Sequence, residues 1–160
     1  MKVIKWLDKH FEEVFLILIL VSIVLVMLYQ IIRRYIFNSS LTWSEEFCRY
    51  AFTWFIFIAY SYSIRFGSEL RVDAVIGMLH GKARKAIDIL LVLFGLLFSA
   101  YLFAQSFPLV TKCAATGELS PGMGVPKHWV YVSAIVGFGL GTVRYAQLLV
   151  KKLLNKEESQ

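Results

Sequence analysis

The fold class this sequence predicts is all-α, an integral membrane bundle of four transmembrane helices with amphipathic interfacial segments, and three observations predict it. Four long apolar stretches divide the chain. The composition is 58% apolar and 16% aromatic with a mean hydropathy of +0.64, more than a soluble domain of 160 residues needs for its core. The basic residues, finally, gather at alternate ends of the stretches. Backbone polar groups in lipid find no water, so a spanning segment must satisfy them inside a helix or a closed barrel. These runs are too long and too continuously apolar for barrel strands.

The first span covers 14–32, VFLILILVSIVLVMLYQII, and holds no Asp, Glu, Lys, Arg or His. As a helix it is about 28 Å long, close to the roughly 30 Å of a hydrocarbon core. A basic N-terminus before an apolar run also describes a secretory signal. This run exceeds a signal's apolar region and no small-residue cleavage site follows, so the segment is expected to be retained. The second span, 43–64, opens on Thr42-Trp43-Ser44-Glu45, a capping box in which Thr42 caps and Glu45 reaches back. The third, 87–107, is expected to stop against Pro108. The fourth, 129–150, follows a loop with Pro121, Gly122, Gly124 and Pro126. One membrane domain, 1–160, accounts for the whole chain, without internal repeats.

Two further segments have helical spacing suited to the membrane surface. Ile4, Leu7, Phe11 and Val14 share one face, with Lys2, Lys5, Lys9 and Glu12 elsewhere. Val72, Val75, Ile76 and Leu79 repeat the spacing before Gly81, and read equally as an amphipathic helix or as a short structured linker.

Lysine and arginine set the orientation. Twelve of the 17 lie in 1–13, 65–86 and 144–156; the remainder, Arg33, Arg34, Arg49, Lys112 and Lys127, lie at the opposite ends of the spans. The positive-inside rule places both termini and the middle loop in the cytoplasm, with Arg33 and Arg34 as the dissenting pair. The net charge of +6 therefore reports topology beside lipid and not nucleic-acid binding.

Several chemistries are excluded. His10, His80 and His128 all lie at span ends or in loops, where none can ligate a haem from mid-membrane. Cys48 and Cys113 have no metal-ligand spacing and are expected to be free thiols. Every carboxylate lies near a boundary, and Asp88, the closest approach to an interior one, has Arg84 one turn before it. Arg144, about two turns from the end of its span, is expected to snorkel. No phosphate loop or nucleophile-base motif occurs, so no enzyme and no cofactor is expected.

The small residues Gly95 and Ser99 in the third span and Gly137, Gly139 and Gly141 in the fourth suit close helix packing, within the chain or against a partner. Glu45, Glu46 and Arg49 complement the helix dipole and permit an i,i+4 pair. Tyr50, Phe52, Trp54, Phe55 and Phe57 extend that cluster into an aromatic surface for lipid or for another protein.

The run Leu41-Thr42-Trp43-Ser44-Glu45-Glu46-Phe47-Cys48-Arg49 resembles the W-S/T-E-E-x-x-R signature of the small membrane (Q, DctQ-like) subunit of tripartite ATP-independent periplasmic (TRAP) transporters. Arg71-Val72-Asp73 is similar to that family's basic-hydrophobic-Asp element. Ser120 to Pro126, with Trp129 and Tyr131, resembles its S-P-x-x-x-x-P-x-x-W-x-Y approach to the last span. Glu69 departs from the histidine many members carry there, so no role of that histidine transfers.

The resemblance implies a scaffold in the bacterial or archaeal inner membrane. Its partners would be lipid, a large multispan elevator-type permease subunit and a periplasmic substrate-binding protein. Sodium-coupled uptake of an organic acid would have both sites on the large subunit. Trp43, Glu45, Glu46, Arg49, Asp73, Pro121 and Pro126 would be its structural or partner-interface residues. A structural membrane assembly factor shares the same lack of chemistry and stays open. A small four-helix exporter would need the central acidic residue absent here.

Overall fold

The computed structural model describes residues 2–39, 41–66 and 82–157, with side chains over 12–39, 41–65 and 87–152. Four helices carry the chain: α1 (Lys2–Ile36), α2 (Thr42–Phe66), α3 (Lys82–Thr116) and α4 (His128–Glu157). Among the described residues there is no strand, only an isolated bridge between Leu119 and Pro126. The middle-loop segment with Val72 to Leu79 and Gly81, together with Asp73, lies outside the described residues. The backbone of 2–11 is helical and runs into the first apolar stretch without a break.

Glu12–Ile36, Ile87–Thr116 and His128–Lys152 are long and apolar enough to cross a membrane. The remaining helix, α2, has the length, about 37 Å, but Tyr50, Trp54, Tyr60, Ser61, Tyr62 and Ser63 lower its apolarity. Its position explains this. Packing runs α1 on α2, α2 on α4 and α4 on α3, so α2 has protein on two sides and needs less lipid-compatible surface than the edge helices. The edge helices α1 and α3 present exposed leucine, isoleucine, valine and phenylalanine, among them Leu18, Leu25, Leu90 and Phe94.

The contacts between helices are made by small residues. Ser44, Ser61, Ser99 and Ser133 are wholly buried. Ser44 and Ser133 donate to the carbonyls of Leu41 and Val130 three residues back, which satisfies each hydroxyl without a second helix. Ser99 reaches across to α4, donating to the Phe138 carbonyl at 3.2 Å with the Thr142 hydroxyl 3.1 Å away. A small apolar cluster of Ile64, Val92 and Tyr145 joins α2, α3 and α4.

The third span does not stop at Pro108: α3 continues through it to Thr116. Proline removes one N–H and crowds the carbonyl four residues earlier, which argues for an end in water. The residues beyond, Leu109 to Thr116, nevertheless keep a helical backbone, and the Thr111 hydroxyl donates to the Pro108 carbonyl at 3.1 Å.

Candidate functional site

The polar side chains gather in two clusters at opposite ends of the bundle. At the first, α2 begins after the turn in which Asn38 takes a positive φ of 48°. Glu46, one turn into α2, is 7% exposed. Its Oε2 accepts the N–H groups of both Gly122 and Met123 at 2.9 Å. Two donors on one carboxylate oxygen make a charge-assisted contact, and they tie α2 to the loop before α4.

The loop is shaped to offer those donors. Ser120 N donates to the Val125 carbonyl and Gly124 N to the Ser120 carbonyl, each at 2.9 Å, while Val125 N reaches Ser120 Oγ at 3.3 Å. Gly124 sits at φ +68°, a conformation that costs any residue with a Cβ. Gly122 approaches α2 so closely that an added Cβ would lie 2.9 Å from the Thr42 carbonyl oxygen. Lys127 and Glu118 close the base at 3.0 Å, and this hydrogen bond holds the Lys127 ammonium above its ordinary range. Both groups are solvent-exposed, so the pair adds little stability.

Several residues singled out from the sequence meet here. Trp43 and Pro121 are exposed beside Glu46 and its loop, and Pro126 is half-buried at the bridge. Among the described residues Glu45 makes no capping-box bond to Thr42; its Oε1 accepts from Gln30 Nε2 of α1 at 3.4 Å. Arg49 is exposed, and among the described residues it forms no ion pair with Glu45 or Glu46. With both side chains toward solvent, an i,i+4 pair gains too little to fix them.

The second cluster centres on Glu12, which the helical spacing assigns to a polar surface face and which is 2% exposed. Arg144 of α4 donates to its Oε1 from Nη2 at 2.9 Å and from Nε at 3.2 Å. The Ser61 hydroxyl of α2 donates to the same oxygen at 3.2 Å. Arg65 Nη1 lies 3.9 Å from the other oxygen, Oε2. The Arg144 side chain is 12% exposed, and its Nη1 donates at 3.1 Å to the exposed Gln147, one turn nearer the helix end. Asp88 faces Lys152 across α3 and α4 at 3.6 Å, and the Arg84 side chain lies outside the described residues.

Between the clusters, glycines set the helix spacing. A Cβ on Gly137 would stand 2.6 Å from Phe57 Cβ and 2.7 Å from the Phe57 carbonyl oxygen, so α4 meets the backbone of α2 there. Gly141 lies against the Tyr60 ring and Gly95 against the Tyr145 ring. The closest groups at Gly137 and Gly141 thus belong to α2 and those at Gly95 to α4, all within the chain. Cys48 and Cys113 are free. Among the described residues no group of three or more His, Cys, Asp or Glu could hold a metal ion.

The importance of Glu12 was hidden in the sequence. The signal available was a carboxylate abutting an apolar run, with Arg65 and Arg144 near the same membrane boundary by the lysine and arginine pattern.

Residues 23–155 match the family described as tripartite ATP-independent periplasmic transporters, DctQ component. The chain is similar to the isethionate TRAP transporter permease protein DctMQ of Oleidesulfovibrio alaskensis, at 28% identity over 91% of this chain and 24% of that protein. It is 29% identical to a putative TRAP transporter small permease protein of Haemophilus influenzae, over 85% of this chain and 81% of the relative. With the C4-dicarboxylate TRAP transporter small permease protein DctQ of Pseudomonas aeruginosa it shares 25% identity, over 74% of this chain and 58% of that protein. The chain thus spans about a quarter of the first relative and less than two thirds of the last.

Proposed function

Since this chain belongs to the DctQ component family of the tripartite ATP-independent periplasmic transporters, we propose that it is the small membrane subunit of such a transporter and acts as a scaffold for a large permease subunit. The observation that carries the reading is the charge-free layer between the two polar clusters. Residues 14–32, 50–64, 89–111 and 129–143 contain no Asp, Glu, Lys, Arg or His. A coupled transporter needs a site whose affinity for ion or substrate differs between two states, and an ionisable or unwound intramembrane element is the usual means. A scaffold needs a rigid shape, and small-residue helix contacts supply that.

The partner is a large multispan permease of the elevator type, which holds the sodium and substrate sites. A periplasmic binding protein delivers the solute, an organic acid. Residues 1–160 form one membrane domain in the bacterial or archaeal inner membrane, crossing at about 14–32, 43–64, 87–107 and 129–150. The Glu12 end and both termini face the cytoplasm, as the lysine and arginine pattern requires. The relative named DctMQ supports this partnership, because this chain matches only 24% of it. Relatives named for isethionate and for C4-dicarboxylates are similar to one and the same chain. This supports a reading in which solute choice resides elsewhere in the complex. Trp43, Glu45, Glu46, Arg49, Asp73, Pro121 and Pro126 would build the outer platform, and Gly95, Ser99, Gly137 and Gly141 its internal packing.

Reconstitution tests the proposal. The chain alone, the large subunit alone, and both with the binding protein are compared under a sodium gradient. Uptake is expected only when the large subunit and binding protein are present, and to fall when this chain is omitted. Uptake by vesicles containing this chain alone would overturn the scaffold reading. Transient association during biogenesis, with no stable complex, would favour an assembly factor.

A further inference from the structure

Of the three apolar helices, α1 is the least packed: 6% of its membrane-compatible window is buried, against 28% for α4. Its helix packing is on α2, with Leu16 as its buried apolar anchor. Apolar side chains in lipid gain almost nothing from choosing protein over acyl chains, so the outer face of α1 cannot fix its own rotation. Polar contacts can, because an unpaired group in that environment is costly.

Glu12 makes such contacts with two other helices at once. Its Oε1 takes both Arg144 donors from α4 and the Ser61 hydroxyl from α2, while Oε2 faces Arg65. A buried carboxylate must be matched by cations and donors, and one rotation of α1 presents it to all three. Among the described residues, Lys152 and Asp88 pair near this end and join α3 to α4.

We infer that Glu12 is a charge latch, a positioning residue that fixes α1 in rotation and depth against the α2–α4 pair. α1 is an edge helix, so the latch decides which of its faces is offered to another membrane protein. The inference concerns the chain by itself and stands apart from the identity of any partner.

Spin labels on cysteines replacing the exposed Leu20 of α1 and Val143 of α4, with Cys48 and Cys113 replaced by alanine, test it in lipid nanodiscs. The unaltered latch gives one narrow distance. Glu12→Ala loses that narrow distance, and Glu12→Gln, which keeps the shape without the charge, broadens it. The reversed pair, Glu12→Arg with Arg144→Glu, recovers a narrower distance than Glu12→Arg alone, against opposition from Arg65. If Glu12→Ala does not fold, Glu12→Gln and the reversed pair decide. A narrow, unshifted distance in Glu12→Gln, or a reversed pair no narrower than Glu12→Arg alone, would overturn the latch. Failure to recruit a large permease would instead unseat the proposed function and leave the latch standing.

Discussion

Glu46 and Gly122 are matched halves of one contact. The Oε2 atom that accepts the Gly122 N–H at 2.9 Å lies 3.0 Å from where a Cβ on Gly122 would stand. The hydrogen bond requires an approach that only glycine permits, so the acidic helix start and the loop between Pro121 and Pro126 form a single unit.

Glu46→Ala should therefore act on the loop. It leaves the Gly122 and Met123 N–H groups without their acceptor in a part-buried site, at a cost of about 2 kcal/mol. Thermal unfolding in detergent should shift down, and proteolysis within 117–127 should accelerate. An unchanged protease pattern would show that water replaces the carboxylate. Glu46→Gln, which retains one acceptor oxygen, should fall between.

Gly122→Ala should destabilise by about 1–3 kcal/mol, since the Thr42 carbonyl that its Cβ would strike is backbone and cannot swing aside. Gly117→Ala is the comparison. Gly117 is strained for a side chain at φ +62° but has nothing within 4 Å of its added Cβ, so it should cost about 1 kcal/mol. Equal effects at the two positions would remove the steric argument.

Gly137→Ala should destabilise more than Gly139→Ala. The added Cβ at Gly137 meets Phe57 backbone, while that at Gly139 meets the edge of the Phe103 ring at 3.0 Å, which can rotate. The first should cost about 1–3 kcal/mol and the second less. Chemical unfolding monitored by tryptophan fluorescence ranks them, and the reverse order would relocate the tight crossing.

Arg49→Ala should change stability by less than about 0.5 kcal/mol, because the side chain is exposed and, among the described residues, acts on Glu46 through its charge without a salt bridge. If uptake falls while the complex is recovered intact, Arg49 contacts a partner. A loss of complex together with uptake would place it in assembly.

Orientation is checked with impermeant thiol reagents in intact cells, in a background without Cys48 and Cys113. Ala115→Cys should label and Lys151→Cys should resist, as the lysine and arginine pattern requires. Labelling at position 151 alone would invert the topology.

Helices were legible in the sequence because lipid demands long, unbroken apolar runs, and each of the four runs lies inside one helix. Pro108 misled because a proline that ends helices in water can be carried within a membrane helix. The Glu46 cluster was half legible. Glu46 stood out beside Trp43 and Arg49, but nothing local to it showed that its donors would come from Gly122 and Met123, far along the chain. Glu12 was illegible for the same reason and one more: Lys2, Lys5 and Lys9 precede it at helical spacing, which disguises a buried charge as one of a solvated face. Asp73 lies outside the described residues.

The two polar ties on α1, Glu12 to Ser61 and Gln30 to Glu45, act together as a ruler laid between α1 and α2. Residues 12 and 30 are about 27 Å apart along a straight helix, and residues 45 and 61 on α2 about 24 Å. A typical hydrocarbon core is about 30 Å thick, and a tilt of about 20° would shorten the first span to roughly 25 Å. The lipid face of α1 runs past Gln30 through Ile31, Ile32 and Ile36, so its apolar belt is longer than the interval between the ties and fits a core of ordinary thickness. The two ties therefore pin α1 to α2 at two heights, and a slide of α1 along its own axis by one turn would break both at once.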